Sequence, residues 1–228
     1  MPRFVIISDT HNQLSQVSLP DGDTLLHCGD ATMEGTAREI ERLAFDFENL
    51  KDKFKRIIYV PGNHDFEMQD SPFVSGLKLR DHCTILVDDS VEVDGYNIYG
   101  SPWQPWFHDW AFNFPERDLE SGKMARAKWA EIPIDTDILI THGPPFMILD
   151  KVARNPQPHV GCPFLAERIN ELVRDRPVAD RKHKLVHAFG HIHERYGQIE
   201  TNDVHYINAA TCNLFYKPYN APVVLDLP

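Results

Sequence analysis

Paired cysteines are the first thing this chain lacks. Cys28, Cys83, Cys162 and Cys212 are scattered over 228 residues with no C-x-x-C among them. That excludes a disulfide framework and reads as buried free thiols of a reducing compartment, so a cytoplasmic location is expected. Long apolar runs are missing too. Near the start, the run over 4–7 gives way at once to Ser8, Asp9 and Thr10, which is too short for a signal-peptide core or a membrane span. Neither a secretory signal nor a membrane partner is expected. Positive charge is scarce. Lysine and arginine number 23 against 34 aspartates and glutamates, a formal net charge of −11. Such a surface neutralises few phosphates, which argues against long nucleic acid as a partner. The one basic stretch, Arg181-Lys182-His183-Lys184, reads as a solvated loop. Internal repeats and low-complexity tracts are absent, and no composition shift marks a linker, so 1–228 is expected to be a single domain.

What is present suits a packed core: 42% hydrophobic and 25% charged residues, in a chain long enough to need no staples. Short apolar runs predict strands over 4–7, 24–27, 56–60, 84–87, 91–93, 96–99, 138–141, 185–189, 196–200, 204–207 and 223–225. Ile40, Leu43, Ala44, Phe47 and Leu50 recur at helical spacing and predict a helix over 36–50. Further helices are expected over 121–130 and 163–173, the latter stopped before Pro177. Gly197, Asn202-Asp203 and Pro222 punctuate the last third as hairpins. This order predicts an α/β chain with two packed sheets and helices outside.

Histidine is abundant, with 12 in all. Five polar motifs follow predicted strands directly: Asp9-Thr10-His11, Gly29-Asp30, Gly62-Asn63-His64-Asp65, Thr141-His142-Gly143 and Gly190-His191-Ile192-His193. Ligands bind beyond the carboxyl ends of parallel strands, so residues distant in sequence can converge there. Asp9 with His11, and His191 with His193, are two apart, and in extended chain such residues face the same side. Gly29, Gly62 and Gly190 permit the sharp turns that aim their neighbours. Two aspartates, one asparagine amide and four histidines make a donor set suited to Mn, Fe or Zn. Seven donors exceed one tetrahedral ion and fit two ions sharing a carboxylate. Each motif alone reads as well as a turn or a satisfied strand histidine; all five in order, each at a strand end, do not. His27 and His187, inside apolar runs, read as core or supporting groups; His82, His159, His183 and His205 have no motif context.

The ordered set resembles the calcineurin-like metallophosphoesterase superfamily over residues 9–193. The stretches Gly100-Ser101-Pro102-Trp103, Thr141-His142-Gly143-Pro144-Pro145, Gly161-Cys162, Gly190–Glu194 and Ile207–Ala210 are similar to those of the metallophosphoesterase-domain-containing phosphodiesterases. The resemblance implies a two-sheet β-sandwich flanked by helices, the α/β/β/α metallophosphoesterase fold. It implies that Asp9, His11 and His193 hold one divalent metal, that Asn63, His142 and His191 hold a second, and that Asp30 bridges them. Manganese is the favoured ion. His64 would face the substrate as leaving-group acid or as donor to a phosphoryl oxygen. The Ser/Thr protein phosphatases of the superfamily carry two phosphate-binding arginines that this chain lacks around Asp30 and Asn63. It also lacks the aspartate that orients the active-site histidine, and Glu34, one place later, could stand in for it. The intact donor set implies an active enzyme.

The resulting expectation is a metal-dependent phosphodiesterase of small diesters, including cyclic nucleotides of the 2′,3′ type. A phosphomonoesterase, a nuclease, or a metal-bearing scaffold with vestigial activity are the alternatives. Trp103, Trp106, Phe107, Trp110, Phe112 and Phe114 lie close together. Most are expected to cover the sandwich by aromatic area, with one or two at the site mouth, where a nucleobase could stack. His108 and Asp109 read as surface residues, and Asn208 as either a turn residue or a site residue.

Overall fold

The computed structural model describes residues 1–115, 119–176 and 183–228; Pro177 and the Arg181-Lys182 half of the basic stretch lie outside them. The described strands, in order, are β1 (Arg3–Ile7), β2 (Thr24–His27), β3 (Arg56–Tyr59), β4 (Thr84–Ile85), β5 (Asp89–Val93), β6 (Tyr96–Ser101), β7 (Ile138–Thr141), β8 (Leu185–Phe189), β9 (Gly197–Glu200), β10 (Val204–Asn208) and β11 (Val223–Asp226). The helices are α1 (Ala37–Glu48), α2 (Phe66–Asp70), α3 (Pro72–Leu79), α4 (Leu119–Ala130) and α5 (Pro163–Asp175). One sheet runs β11-β1-β2-β3-β4 and the other β5-β6-β7-β8-β10-β9. Within them β1 to β4 pair in parallel, as do β6, β7, β8 and β10. The antiparallel strands β11, β5 and β9 lie at sheet edges.

Alternation along the strands explains the layers. Phe4, Ile6, Leu26, Ile58 and Val60 meet Ile98, Ile138, Ile140, Val186 and Ile207 between the sheets. The intervening residues Val5, Ile7, Leu25, Ile57 and Tyr59 pack outward on Ile40, Leu43 and Phe47 of α1 and Leu79 of α3. On the far side Tyr99, Leu139, Leu185 and Phe189 pack on Trp129 of α4 and on Leu165, Ile169 and Leu172 of α5. Strands buried on both faces read as continuous apolar runs, which is why the sequence marks them. Helix α1 begins at a capping box, Thr36 with Glu39, each satisfying a backbone N–H of the other's end.

Two expectations are corrected. The last third is not a run of hairpins: β8 pairs with β10 in parallel, only β9 and β10 form a hairpin among the described residues there, and β11 crosses to β1 of the other sheet. Turn residues mark where a strand ends, not which strand it pairs with. Helices α2 and α3 add to the expected set; both are short and lack a long apolar period, and α3 opens on Pro72 in its first turn. No helix among the described residues is long and apolar enough to cross a membrane.

Candidate metal centre

Asp9 and His11 lie past β1, Asp30 past β2, Asn63 and His64 past β3, His142 past β7, and His191 and His193 past β8. The two sheets are joined at this end by a bridge between Ser8 and Ala210 and by the Thr211 N–H donating to the Ser8 carbonyl. All eight side chains gather there. Asp9 Oδ1 is 3.3 Å from His193 Nε2, which is 3.3 Å from His11 Nε2. Asp30 Oδ2 is 3.3 Å from His142 Nε2, 3.9 Å from His11 Nε2 and 4.0 Å from His64 Nε2. Asn63 Oδ1 is 2.9 Å from His142 Nε2, and the His142 and His191 rings are 5.0 Å apart. Three groups have donor atoms close enough to hold an ion: Asp9-His11-His193, Asp30-His142-His191 and His11-Asp30-His64. Asp30 belongs to two of them. His64, expected to face the substrate alone, lies near enough to join the third.

The motif backbones are not extended. Asp9, His11, Asp30 and His191 all take left-handed φ, at 52°, 43°, 52° and 67°, and His193 opens a short 3₁₀ turn. The same-side argument from two-residue spacing therefore fails, because these residues lie beyond the ladder, where the chain turns across strand ends. There the Asp9 N–H donates to Gly29 O and the His11 N–H to Asp30 O. Left-handed non-glycine residues cost about 1 kcal/mol or more each and gather where function demands them. The glycines divide by reason. Gly29 has a φ of 104°. Gly62 and Gly190 instead make room: a Cβ at Gly62 would lie 2.3 Å from Asp30 Oδ1, and one at Gly190 2.1 Å from Asp9 Oδ2.

Backbone carbonyls aim the imidazoles. His11 Nδ1 faces Thr32 O, His64 Nδ1 faces Met33 O, His142 Nδ1 faces Cys28 O and His193 Nδ1 faces Asn213 O, at 2.6–3.2 Å. A carbonyl only accepts, so each Nδ1 carries a hydrogen and each Nε2 is turned to the centre, the arrangement metal-ligating histidines need. The partner of His64 is thus Met33 O and not Glu34. Burial would raise the Asp9 carboxyl, but the hydrogen bond and charge of His193 bring it down to about 2. For Asp30 the charge of His142 outweighs burial and lowers it; His142 in turn rises to about 9 against burial, drawn by Asp30. Burial holds His11 near 4 and His191 near 3. His142 Nε2 thus faces both Asn63 Oδ1 and Asp30 Oδ2. Asn63 Nδ2 is buried without a partner. The donor set fits divalent ions.

Sequence reasoning missed several supports. Buried Asp65 accepts from the N–H groups of Gly62 and Thr32 and from the Thr32 hydroxyl, tying the Asn63 turn to the Asp30 loop. An Asp closing a Gly-x-x-Asp turn was the available signal. His27 and His187 prove buried and supporting: their Nε2 atoms meet the Thr10 and Thr141 hydroxyls at 2.8 and 2.9 Å. Asn208 is also a support, its amide donating to Ile192 O between the two motif histidines. Tyr216, whose ring lies 4.8 Å from that of His11, had no local signal.

The centre opens into a cleft of about 510 Å³. Trp106, Phe107 and Trp110 line it, together with Arg154 and Glu194, Leu214 and Tyr216. Trp110 lies 4.5 Å from His64, ring to ring. Trp103, Phe112 and Phe114 instead pack into the core faces, Trp103 stacked on Phe114 at 5.6 Å. His108 and Asp109 are exposed. The flap between Pro144 and Cys162 forms one wall, pinned where the Ala153 N–H donates to Glu194 and Arg195 Nε donates to Lys151 O.

Comparison with known proteins agrees with this picture. Residues 2–195 match the family model described as calcineurin-like phosphoesterase. The chain is 38% identical, over 99% of its own length and 71% of the relative, to the human metallophosphoesterase domain-containing protein 1. It is 32% identical to the UPF0046 protein C25E10.12 of Caenorhabditis elegans, over 99% of this chain and 81% of that one. A solved Thermus thermophilus protein, TT1561, shares the fold at a TM-score of 0.55 and 14% identity, covering 91% of this chain and 88% of that one.

Proposed function

Because the chain belongs to the calcineurin-like phosphoesterase family, we propose that it is a two-metal phosphodiesterase acting on small diesters, with cyclic nucleotides of the 2′,3′ type among them. One observation carries the reading: the groups Asp9-His11-His193 and Asp30-His142-His191 converge at the sheet ends, and Asp30 Oδ2 faces a histidine of each, 3.9 Å from His11 Nε2 and 3.3 Å from His142 Nε2. Asp9, His11 and His193 would hold one ion, Asn63, His142 and His191 the other, and Asp30 would bridge. Bound divalent ions supply Lewis acidity to a phosphoryl oxygen and lower the pKa of water toward about 7. Manganese is the ion we favour, since the mixed carboxylate, amide and imidazole donors suit it.

The chain's own residues do the rest. His64 hands its Nδ1 hydrogen to Met33 O and keeps Nε2 toward the cleft. As the imidazolium, with a second hydrogen on Nε2, it can pass that proton to the leaving alkoxide and return to the neutral ring, worth about 10²–10⁴-fold for a general acid. Asp65 and Met33 hold that imidazole and its turn in place. Trp106, Phe107 and Trp110 offer a wall on which a base could stack, at about 1–3 kcal/mol per base. An acidic chain with a confined cleft favours a small diester over a long nucleic acid, and four free, buried cysteines favour the cytoplasm.

Hydrolysis of bis-p-nitrophenyl phosphate and of p-nitrophenyl phosphate, each with Mn²⁺ and with chelator, tests the reading. The diester should be the better substrate, and chelator should stop both reactions. Preference for the monoester would make this a phosphomonoesterase, and inertness toward both would favour a metal-bearing scaffold.

A further inference from the structure

A tight turn after β10 is fastened to the metal centre. Asn213 organises it: its side-chain oxygen accepts from the N–H groups of Phe215 and Lys217, and its carbonyl accepts both from the Tyr216 N–H and from His193 Nδ1. The Tyr216 carbonyl accepts from the Gln13 amide at 2.9 Å. Within the turn Tyr216 has a φ of 53°, a conformation that bulky residues rarely adopt. The strain aims one ring at three imidazoles, with centroids 4.8 Å from His11, 5.3 Å from His193 and 6.2 Å from His64. Covering these rings would need only a phenyl group. The Tyr216 hydroxyl makes no hydrogen bond to another described residue, and the residue lines the cleft.

We propose that Tyr216 is a substrate-binding residue whose hydroxyl donates a hydrogen bond to a non-bridging phosphoryl oxygen. The proposal rests on the phosphodiesterase reading and deepens it. Among the described residues, Arg154 is the only lysine or arginine lining the cleft, and it sits on the exposed flap. At the metal end, then, the described side-chain donors besides the imidazoles are neutral. A neutral donor suits a singly charged diester, whereas a phosphomonoester carries about −1.5 to −2 at pH 7 and would gain more from a guanidinium.

The test uses the metal-loaded protein with dimethyl phosphate as the probe, binding being read by calorimetry. Tyr216→Phe keeps the ring; Tyr216→Asn removes it but tolerates the left-handed backbone. We expect Tyr216→Phe to retain two ions and the wild-type Tm. Its affinity for dimethyl phosphate should fall about 10-fold or more, the scale of one hydrogen bond to a charged group. Its kcat/KM on bis-p-nitrophenyl phosphate should fall in step, and Tyr216→Asn should bind no better. Wild-type affinity in Tyr216→Phe would overturn the proposal, and so would loss of metal from that variant or failure of the wild type to bind dimethyl phosphate. A wild type that binds the probe but cleaves no diester would instead defeat the phosphodiesterase reading, with the Tyr216 assignment still decided by the affinities.

Discussion

Asp30 carries more of the site than any other residue. One oxygen faces His142, His11 and His64, and the other accepts the His64 N–H at 2.8 Å. Asp30→Ala would remove the shared carboxylate and leave two cations facing each other. It should abolish turnover and lower the content of both ions in elemental analysis. Asn63→Ala should bring the content to about one ion per chain, since Asn63 meets only His142 in this set. Near-normal turnover in Asp30→Ala would place the chemistry elsewhere. His64→Ala should keep both ions and lose about 10²-fold or more on an alkyl diester. An aryl diester, with its better leaving group, should lose less. Equal losses on the two would mean that His64 stabilises phosphoryl charge instead.

At the scale of elements, the ends of strands and helices matter more than their middles. The capping box of α1 also orders the loop before it, because Glu39 accepts from the Glu34 N–H as well as from Thr36. That loop presents Met33 O to His64. Thr36→Ala should cost about 1 kcal/mol in urea unfolding and leave metal content unchanged. The end of β8 tolerates far less. Gly190→Ala would drive a methyl group to within 2.1 Å of both Asp9 Oδ2 and Ser8 Oγ. We expect about 1–3 kcal/mol of destabilisation, as for other overpacked sites, and loss of the ion held by Asp9, read by elemental analysis. A Gly190→Ala protein with two ions and wild-type stability would show that the two strand ends can slide apart.

Across the whole molecule, buried neutral histidines set an acid limit. Burial lowers His27 and His187 from 6.5 to about 3. A depressed folded pKa means that the unfolded chain binds the proton first. The stability these groups contribute is therefore complete above pH 6.5 and is lost as pH falls from 6.5 toward 3. A tenfold change in proton affinity is worth about 1.4 kcal/mol, so together they amount to several kcal/mol on the order-of-magnitude scale. His142 works in the other direction: raised to about 9, it stabilises fully below pH 6.5 and loses effect up to pH 9. In chelator-treated protein, Tm should thus fall steadily from pH 6.5 to about 4.5. His187→Gln, which can still meet the Thr141 hydroxyl, should flatten that slope. An unchanged slope would assign the acid limit to other groups.

Much of this was legible in the sequence because the signals are local. Strands such as β1, β2, β7 and β8 are buried on both faces and so are written as nearly continuous apolar runs, broken only by buried polar residues such as His27 and His187 and by the exposed Arg3 at the start of β1, and the motifs follow them directly. The types of donor, two carboxylates, one amide and imidazoles, are likewise properties of residues and need no coordinates. Which atoms meet is different. The pairing of β11 with β1 and of β10 with β8, the turning of Nε2 atoms inward by Thr32, Met33, Cys28 and Asn213 carbonyls, and the placing of Tyr216 over His11 all depend on contacts between segments far apart in the chain. Sequence spacing suggested extended pairs at Asp9-His11 and His191-His193, while tertiary crowding at the sheet ends imposed left-handed turns. Local pattern determined the elements and the chemistry available to them; packing of one sheet against the other decided the geometry, because only there do distant strand ends come within bonding distance.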